Sequence, residues 1–245
     1  MLNRPNLMSH SNSLLPERPS NISVIEACSL FNAISSIQRQ TLAERSFMAF
    51  AERGESIWRA GTPAQIAAIS GVGFVKMTRS TPQGMEVAVE LLGPGQCFGL
   101  LATIEGGIFP LSATAVTNCW YLKLPAEILR STYEDSAQLK DQMVRSISPR
   151  LRKAHEMMSR MSTGKVEQRI AATLLILTQS YGTETEDGML IEVPLTRQDI
   201  SEMAGTTVET TIRVMSRWQK EGLVTTRNQN ITVVNPDALS ESLLH

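Results

Sequence analysis

The 245-residue sequence is poor in the residues that build metal centres and covalent crosslinks: it has three cysteines and three histidines. Cys28, Cys97 and Cys119 are odd in number and far apart, which argues against both a disulfide framework and a zinc knuckle. Three thiols without close grouping also fall short of an all-cysteine iron–sulfur cluster. No histidine lies between His10 and His155, so the histidine set of a metal-dependent β-barrel enzyme is missing, and a non-enzyme is expected. Long apolar runs are lacking too. Ile66 to Val75 is interrupted by Ser70, Gly71 and Gly73 and is far too short to cross a bilayer. Met1 to Asn21 is polar and proline-punctuated, without the apolar core of a secretory signal. These absences predict a cytoplasmic protein without a membrane partner. Nor is there an excess of either charge. Lys and Arg total 23 against 24 Asp and Glu, so the net charge of -1 does not advertise a polyanionic partner.

What remains is a globular composition, 42% hydrophobic and 19% charged, long enough for one large domain or two ordinary ones. Residues 1–21, rich in Ser, Asn and Pro, read as a flexible tail. A helical lead-in follows, with Ile22, Ile25, Leu30 and Phe31 as apolar positions. A second helical piece spans Ile37 to Ala51, with Leu42, Phe47 and Phe50 at helical spacing. From Gly54 short β-like runs are separated by turn signals at Gly61-Thr62-Pro63, Gly71 to Gly73, Thr81 to Gly84, Gly93 to Gly95 and Gly106-Gly107. Met85, Val87, Val89 and Leu91 alternate with Glu86, Ala88 and Glu90. Trp120, Leu122 and Leu124 alternate with Cys119, Tyr121 and Lys123. Strands at spacings near ten residues predict a small antiparallel barrel or jelly roll over 22–124, within an α+β fold.

Pro125 closes that region and a long helix is expected over 125–163. Val144, Ile147, Leu151, Ala154, Met158 and Met161 step by three and four residues, a heptad seam between charged flanks. Such a seam can pack on its own barrel or pair with a second copy, and the polar flanks favour a homodimer. Pro149 falls inside the helix and predicts a kink. The last module, residues 164–245, opens with another amphipathic helix (Val166, Ile170, Leu174, Leu175, Leu177) and an acidic link, Gly182 to Gly188.

Leu195 to Trp218 reads as two short helices around a tight turn, a helix-turn-helix. Thr196 and Asp199 have the spacing of a capping box, with Asp in place of Glu. Gly205 suits the left-handed turn, and Thr206 or Thr207 caps a second helix buried through Ile212, Met215 and Trp218 or their neighbours. Gly222 ends it. Leu223 to Thr226 and Ile231 to Val234, joined at Asn228 to Asn230, form a hairpin wing. Val208, Glu209, Ile212 and Arg213 share one face of the second helix and are the candidate base readers. Glu209 can accept from a cytosine amino group, Arg213 can bond bidentate to guanine, and Val208 can touch a thymine methyl. Thr196, Arg197, Thr206, Thr207 and Arg217 are the candidate phosphate contacts. Between Thr196 and Arg227 five basic residues face four acidic ones. The net of +1 places specificity in directed contacts and in dimer geometry, with double-stranded DNA as the partner.

Taken in order, Gly61-Thr62-Pro63, Gly71 to Gly73, Pro94-Gly95 with Phe98-Gly99, Arg169-Ile170-Ala171, and Leu195 to Ile200 running on to Arg213 resemble the CRP/FNR superfamily of bacterial transcription regulators. The resemblance covers about residues 22–240. It implies a double-stranded β-helix of the cyclic-nucleotide-binding type, a dimerisation helix and a C-terminal winged helix-turn-helix. It also implies RNA polymerase as a further partner if the protein activates. Members that read TTGAT-type half-sites carry Glu-x-x-Ser-Arg; here Glu209 and Arg213 match, and Ile212 replaces the serine, which implies a palindrome of TTG-like half-sites.

The family's sensor chemistry does not carry over. Its cyclic-nucleotide members use Gly-Glu-Leu and Arg-Ser-Ala segments; these positions here read Gly99-Leu100-Leu101 and Leu111-Ser112-Ala113. The acid and the arginine are both leucine, which argues against cyclic nucleotide binding. The Thr-Ser pair of the long helix reads Ala154-His155. Leu100, Leu101, Leu111, Ser112 and His155 are the candidate lining of an effector pocket, although the leucines, with Ile104, Ile108 and Phe109, also read as roll core. A haem ligated by His10 or His155 stays open, as does the alternative of a cyclic-nucleotide- or haem-dependent signalling module of the same fold.

Overall fold

The computed structural model describes residues 15–163 and 165–241, without the side chains of 153, 154, 156–163 and 241. The chain begins with helix α1 (Asn21–Ala27), a 3-10 helix (Ser29–Ala33) and helix α2 (Ser36–Glu44). Ser35 and Gln38 form a reciprocal capping box at the start of α2. The second helix expected over 37–51 is therefore only partly a helix. It stops at Glu44, and Phe47–Ala51 is strand β1, drawn into the sheet by antiparallel pairing with strand β8 (Cys119–Pro125). The tail also ends earlier than expected. Trp120 donates through Nε1 to the Pro16 carbonyl at 2.7 Å, Arg18 lies over the same indole, and Ser20 caps α1, so residues 16–20 lie against the roll.

The remaining strands of the roll are β2 (Ser56–Trp58), β3 (Ile66–Val72), β4 (Val75–Ser80), β5 (Glu86–Leu92), β6 (Cys97–Phe98) and β7 (Ser112–Ala115), with helix α3 (Leu100–Glu105) between β6 and β7. They make two four-stranded antiparallel sheets, ordered β1-β8-β3-β6 and β2-β7-β4-β5. This is the expected jelly roll. The inner strands are buried on both faces. Leu122 and Leu124 of β8 join a core with α1, α2 and Leu129, while Cys119 and Tyr121 face a second core around Trp58, Phe98 and Phe109. Burial on two sides explains why β3 reads as a nearly continuous apolar run.

Strand β5 departs from its alternation. Met85 and Val89 are 44% and 41% exposed, whereas Ala88 and Leu92 are buried. A register shift between Met77 and Thr78 accompanies the change, and the small Ala88 lets the C-terminal half approach closely.

Beyond the roll the long helix is two. Helix α4 (Ala126–Glu134) stops at Asp135, and helix α5 (Ala137–Thr163) restarts with the Ser136 hydroxyl accepting from the Leu139 amide. Helix α5 continues through Pro149. Helix α6 (Val166–Tyr181) follows, then strands β9 (Gly182–Thr185) and β10 (Gly188–Ile191), helices α7 (Arg197–Ala204) and α8 (Val208–Lys220), strands β11 (Val224–Arg227) and β12 (Asn230–Val233), and helix α9 (Pro236–Glu241). The expected acidic link is thus a hairpin, and its second strand extends the wing into a sheet ordered β11-β12-β10-β9.

Gly73 turns β3 into β4 at φ +83°, and a Cβ there would sit 2.4 Å from the Asn118 carbonyl oxygen. Gly61 has φ +84° but open space around it. Replacing Gly61 with alanine is expected to cost about 1 kcal/mol from backbone strain alone, and Gly73→Ala about 3 kcal/mol or more. Denaturant midpoints measure both, and equal midpoints for the two variants would contradict this account of the turn.

Candidate nucleic-acid interface

The helix-turn-helix is built by local chemistry. The Thr196 amide and hydroxyl both donate to Asp199 Oδ2, at 2.9 and 2.6 Å, and the Asp199 amide donates back to Thr196 Oγ1. The expected capping box is present. Gly205 takes the left-handed conformation at the end of α7, and Thr207 is the residue that caps α8, accepting from the Thr210 amide. Arg169 of α6 reinforces the turn by donating to the carbonyls of Ala204 (2.9 Å) and Gly205 (3.2 Å). Its motif was legible in the sequence, but its task was not, because the acceptors lie thirty-five residues away.

Helix α8 buries Thr211, Val214, Met215 and Trp218. The three apolar side chains contribute about 1.5–3 kcal/mol each. Ile212 does not belong to that buried side; it is 48% exposed, and with Glu209 and Arg213, also exposed, it forms an outward face near the helix N-terminus. Val208 is half-buried at its edge. The four candidate base readers therefore come together.

The candidate phosphate contacts are more divided. Thr206 and Thr207 lie at the turn, Thr207 exposed. Thr196 is committed to its cap, and the Arg197 guanidinium donates to Thr226 Oγ1 of the wing at 3.0 Å, half-buried. Arg217 makes a bidentate pair with Glu167 of α6 at 3.0 and 2.5 Å. Both partners are about half exposed, so the pair adds little stability and can be exchanged for a phosphate. The wing turn has Asn228 and Gln229 at φ 49° and 68°, as a two-residue hairpin loop requires.

The C-terminal half also rests on the roll. Lys76 of β4 donates to Asp199 Oδ1 at 2.7 Å and to Glu202 Oε2 at 2.6 Å, and the second Glu202 oxygen accepts from Gln198. Arg53, between β1 and β2, donates to Gln229 Oε1 and to the Pro194 carbonyl and lies 3.7 Å from Asp199. Ala88 and Val116 join the core of the C-terminal half, and Tyr181 donates to the Leu91 carbonyl while meeting Phe74 edge-on. Lys76 and Arg53 escaped the sequence reading because their partners lie well over a hundred residues ahead. Burial disfavours charge on Asp199, but Lys76 and Thr196 outweigh it and hold the carboxyl below its ordinary 3.8. Burial likewise opposes the Lys76 charge, and the two acids overcome it, raising Lys76 above 10.5.

The candidate effector residues are not brought together. Leu100 packs with the α1–α2 core, Leu111 with the Trp58 core, and Leu101 is 45% exposed. Ser112 Oγ accepts from the Ala60 amide, and His155 is exposed on α5. His10 and His245 lie outside the described residues. A cyclic nucleotide does not fit here. Trp58 and Phe109 stack 4.2 Å apart directly against Gly99, within 3.0 Å of where a Cβ would stand, and Leu100 and Leu111 supply neither an acid for a ribose nor a cation for a phosphate. Cys28 and Cys97 share one core and Cys119 the other; burial raises all three thiols, Cys119 to about 11. Among the described residues no helix is long and apolar enough to cross a membrane.

Residues 168–242 match the family model for a Crp-like helix-turn-helix domain, and residues 49–136 match that for a cyclic nucleotide-binding domain. The chain is 29% identical over 192 residues to the global nitrogen regulator of Synechococcus elongatus, covering 78% of this chain and 86% of that protein. It is 26% identical over 188 residues to the CRP-like cAMP-activated global transcriptional regulator of Mycobacterium tuberculosis, covering 77% and 84%. The solved structure of FixK2 from Bradyrhizobium japonicum shares the fold, with a TM-score of 0.69 at 21% identity over 80% of this chain and 96% of that one.

Two outcomes follow from this geometry. Arg169→Ala removes two charge-assisted hydrogen bonds from the turn and is expected to lower stability by about 1.5–3 kcal/mol, read as a shifted urea midpoint; an unshifted midpoint would remove Arg169 from the account. The depressed Asp199 carboxyl contributes stability that is complete above pH 3.8 and disappears as the pH falls through its lowered value. The melting temperature should therefore drop on acidification below that point, more steeply in the wild type than in Asp199→Asn. Identical acid profiles for the two proteins would contradict the assignment.

Proposed function

This chain belongs to the CRP/FNR superfamily of DNA-binding transcription regulators, and we propose that it binds as a homodimer to palindromic DNA with TTG-like half-sites. The observation that carries the reading is the outward face of α8. Glu209, Ile212 and Arg213 are exposed, while the opposite side of the helix is locked into the C-terminal core. A face so presented can enter a major groove, where Arg213 meets guanine O6 and N7 and Glu209 a cytosine amino group. Thr206, Thr207 and Arg217 flank it as phosphate contacts. Ile212, where the family's TTGAT readers place serine, offers an apolar contact to the neighbouring base.

Helix α5 supports the dimer. Leu139, Met143 and Ile147 turn toward the chain's own core, which takes Ile147 out of a purely intermolecular seam. Val144 and Leu151, seven residues apart, remain 66% and 54% exposed. Apolar side chains open to water at heptad spacing on a 27-residue helix suit pairing with a second copy. Ala154, Met158 and Met161, which continue the seam, have side chains outside the described residues. A two-fold through α5 would set the two α8 helices side by side on half-sites one helical turn or more apart. The regulator would act in the cytoplasm and, if it activates, beside RNA polymerase. Its signal belongs to another class than cyclic nucleotides.

Arg213→Ala is expected to cost about 1–3 kcal/mol of operator affinity and to relax preference at a single base position per half-site. Fluorescence anisotropy with duplexes substituted one position at a time measures both. Unchanged affinity and unchanged preference would show that the reading face lies elsewhere.

A further inference from the structure

We infer that Lys76 is a positioning residue for DNA recognition: by seating Asp199 and Glu202 of α7 on strand β4, it fixes the orientation of α8 relative to the roll and hence the separation of the two reading faces. The inference rests on the proposed dimeric reading of DNA. Its physical basis is a clamp between two halves of the chain that are 123 residues apart in sequence. The Lys76, Asp199 and Glu202 side chains are only 12%, 8% and 8% exposed, so solvent and salt screen them far less than a surface pair. Arg53 adds a second cation 3.7 Å from Asp199 and holds the wing turn through Gln229.

The remaining contacts between the halves hold α7 less directly: the one from Tyr181 to the Leu91 carbonyl starts on α6. Ala88, Val116, Phe74 and Leu91 supply apolar packing, which is non-directional. Two short contacts from one ammonium, 2.7 Å to Asp199 and 2.6 Å to Glu202, fix two points of α7 against one point of β4, which limits sliding. The orientation imposed on α7 passes to α8, because the two are joined by a turn that Arg169 pins at Ala204 and Gly205. Asp199 carries both tasks, holding Thr196 with one oxygen and Lys76 with the other. Docking also leaves Glu209, Ile212 and Arg213 exposed, so the clamped arrangement presents the reading face and does not cover it.

The test uses duplexes selected by the wild-type protein from a random-sequence pool, then respaced by one, two or five base pairs between half-sites, together with a single half-site duplex. The wild type should lose affinity steeply on respacing. Lys76→Gln is expected to lose at least tenfold on the native spacing, to flatten the spacing profile, and to stay within about twofold on the single half-site. A general loss of fold would instead weaken both duplexes alike. Lys76→Arg, and the charge exchange Lys76→Glu with Glu202→Lys, which conserves one cation between two acids, should restore the wild-type profile. If Lys76→Gln does not fold, Glu202→Gln, which removes one arm of the clamp, should flatten the profile in its place. A wild-type spacing profile in Lys76→Gln or Glu202→Gln, equal losses on both duplexes, or tighter binding would each overturn the inference. A wild type that selects no duplex would fell the DNA-reading proposal itself, and this inference with it.

Discussion

One carboxylate ties the molecule together. Asp199 closes the capping box that starts the helix-turn-helix, and its other oxygen accepts from Lys76 of the roll. Burying a carboxylate is costly unless every lone pair finds a donor, and here the donors come from the neighbouring backbone, a neighbouring hydroxyl and a strand in the other half of the chain. The consequence is geometric. The element that begins the helix-turn-helix is held against the roll by the same side chain that caps it. The Crp-like helix-turn-helix and the cyclic nucleotide-binding domain are matched by separate family models, yet in this chain they share the apolar core that runs from Ala88 to Trp218.

The interior of the roll is filled by aromatic packing. Trp58 stacks on Phe109, Phe98 lies alongside, and the indole donates to the Leu111 carbonyl, so aromatic packing occupies the space before Gly99. Leucines at 100 and 111 are consistent with that filling: neither position has a polar ligand group to satisfy. The roll carries α7 through Lys76, and its α1–α2 core takes in Leu139 and Met143 of α5.

Much of this was legible in the sequence. The capping box, Gly205, the wing and the strand–turn rhythm of the roll depend on residues within a few positions of one another, where spacing determines the chemistry. The misreadings share a different cause. Phe47–Ala51 has helical spacing, but pairing with β8 made it a strand; Met85 and Val89 alternate correctly, but the C-terminal half buries the small Ala88 of the opposite face. Gly182 to Gly188 looked like a polar link because β12, which its hairpin extends, lies some forty residues later. The clamp was invisible for the same reason: nothing near Lys76 announces two acids on α7. Tertiary pairing overrides local pattern wherever a residue's partner is distant.

The central claim is that two copies of α8 read a symmetric site. Enrichment of bound duplexes from a random-sequence pool by the purified wild-type protein tests it most directly. The account predicts enriched sequences with two-fold symmetry, each half carrying a TTG-like core. Enrichment of an asymmetric site, or of none, would contradict it.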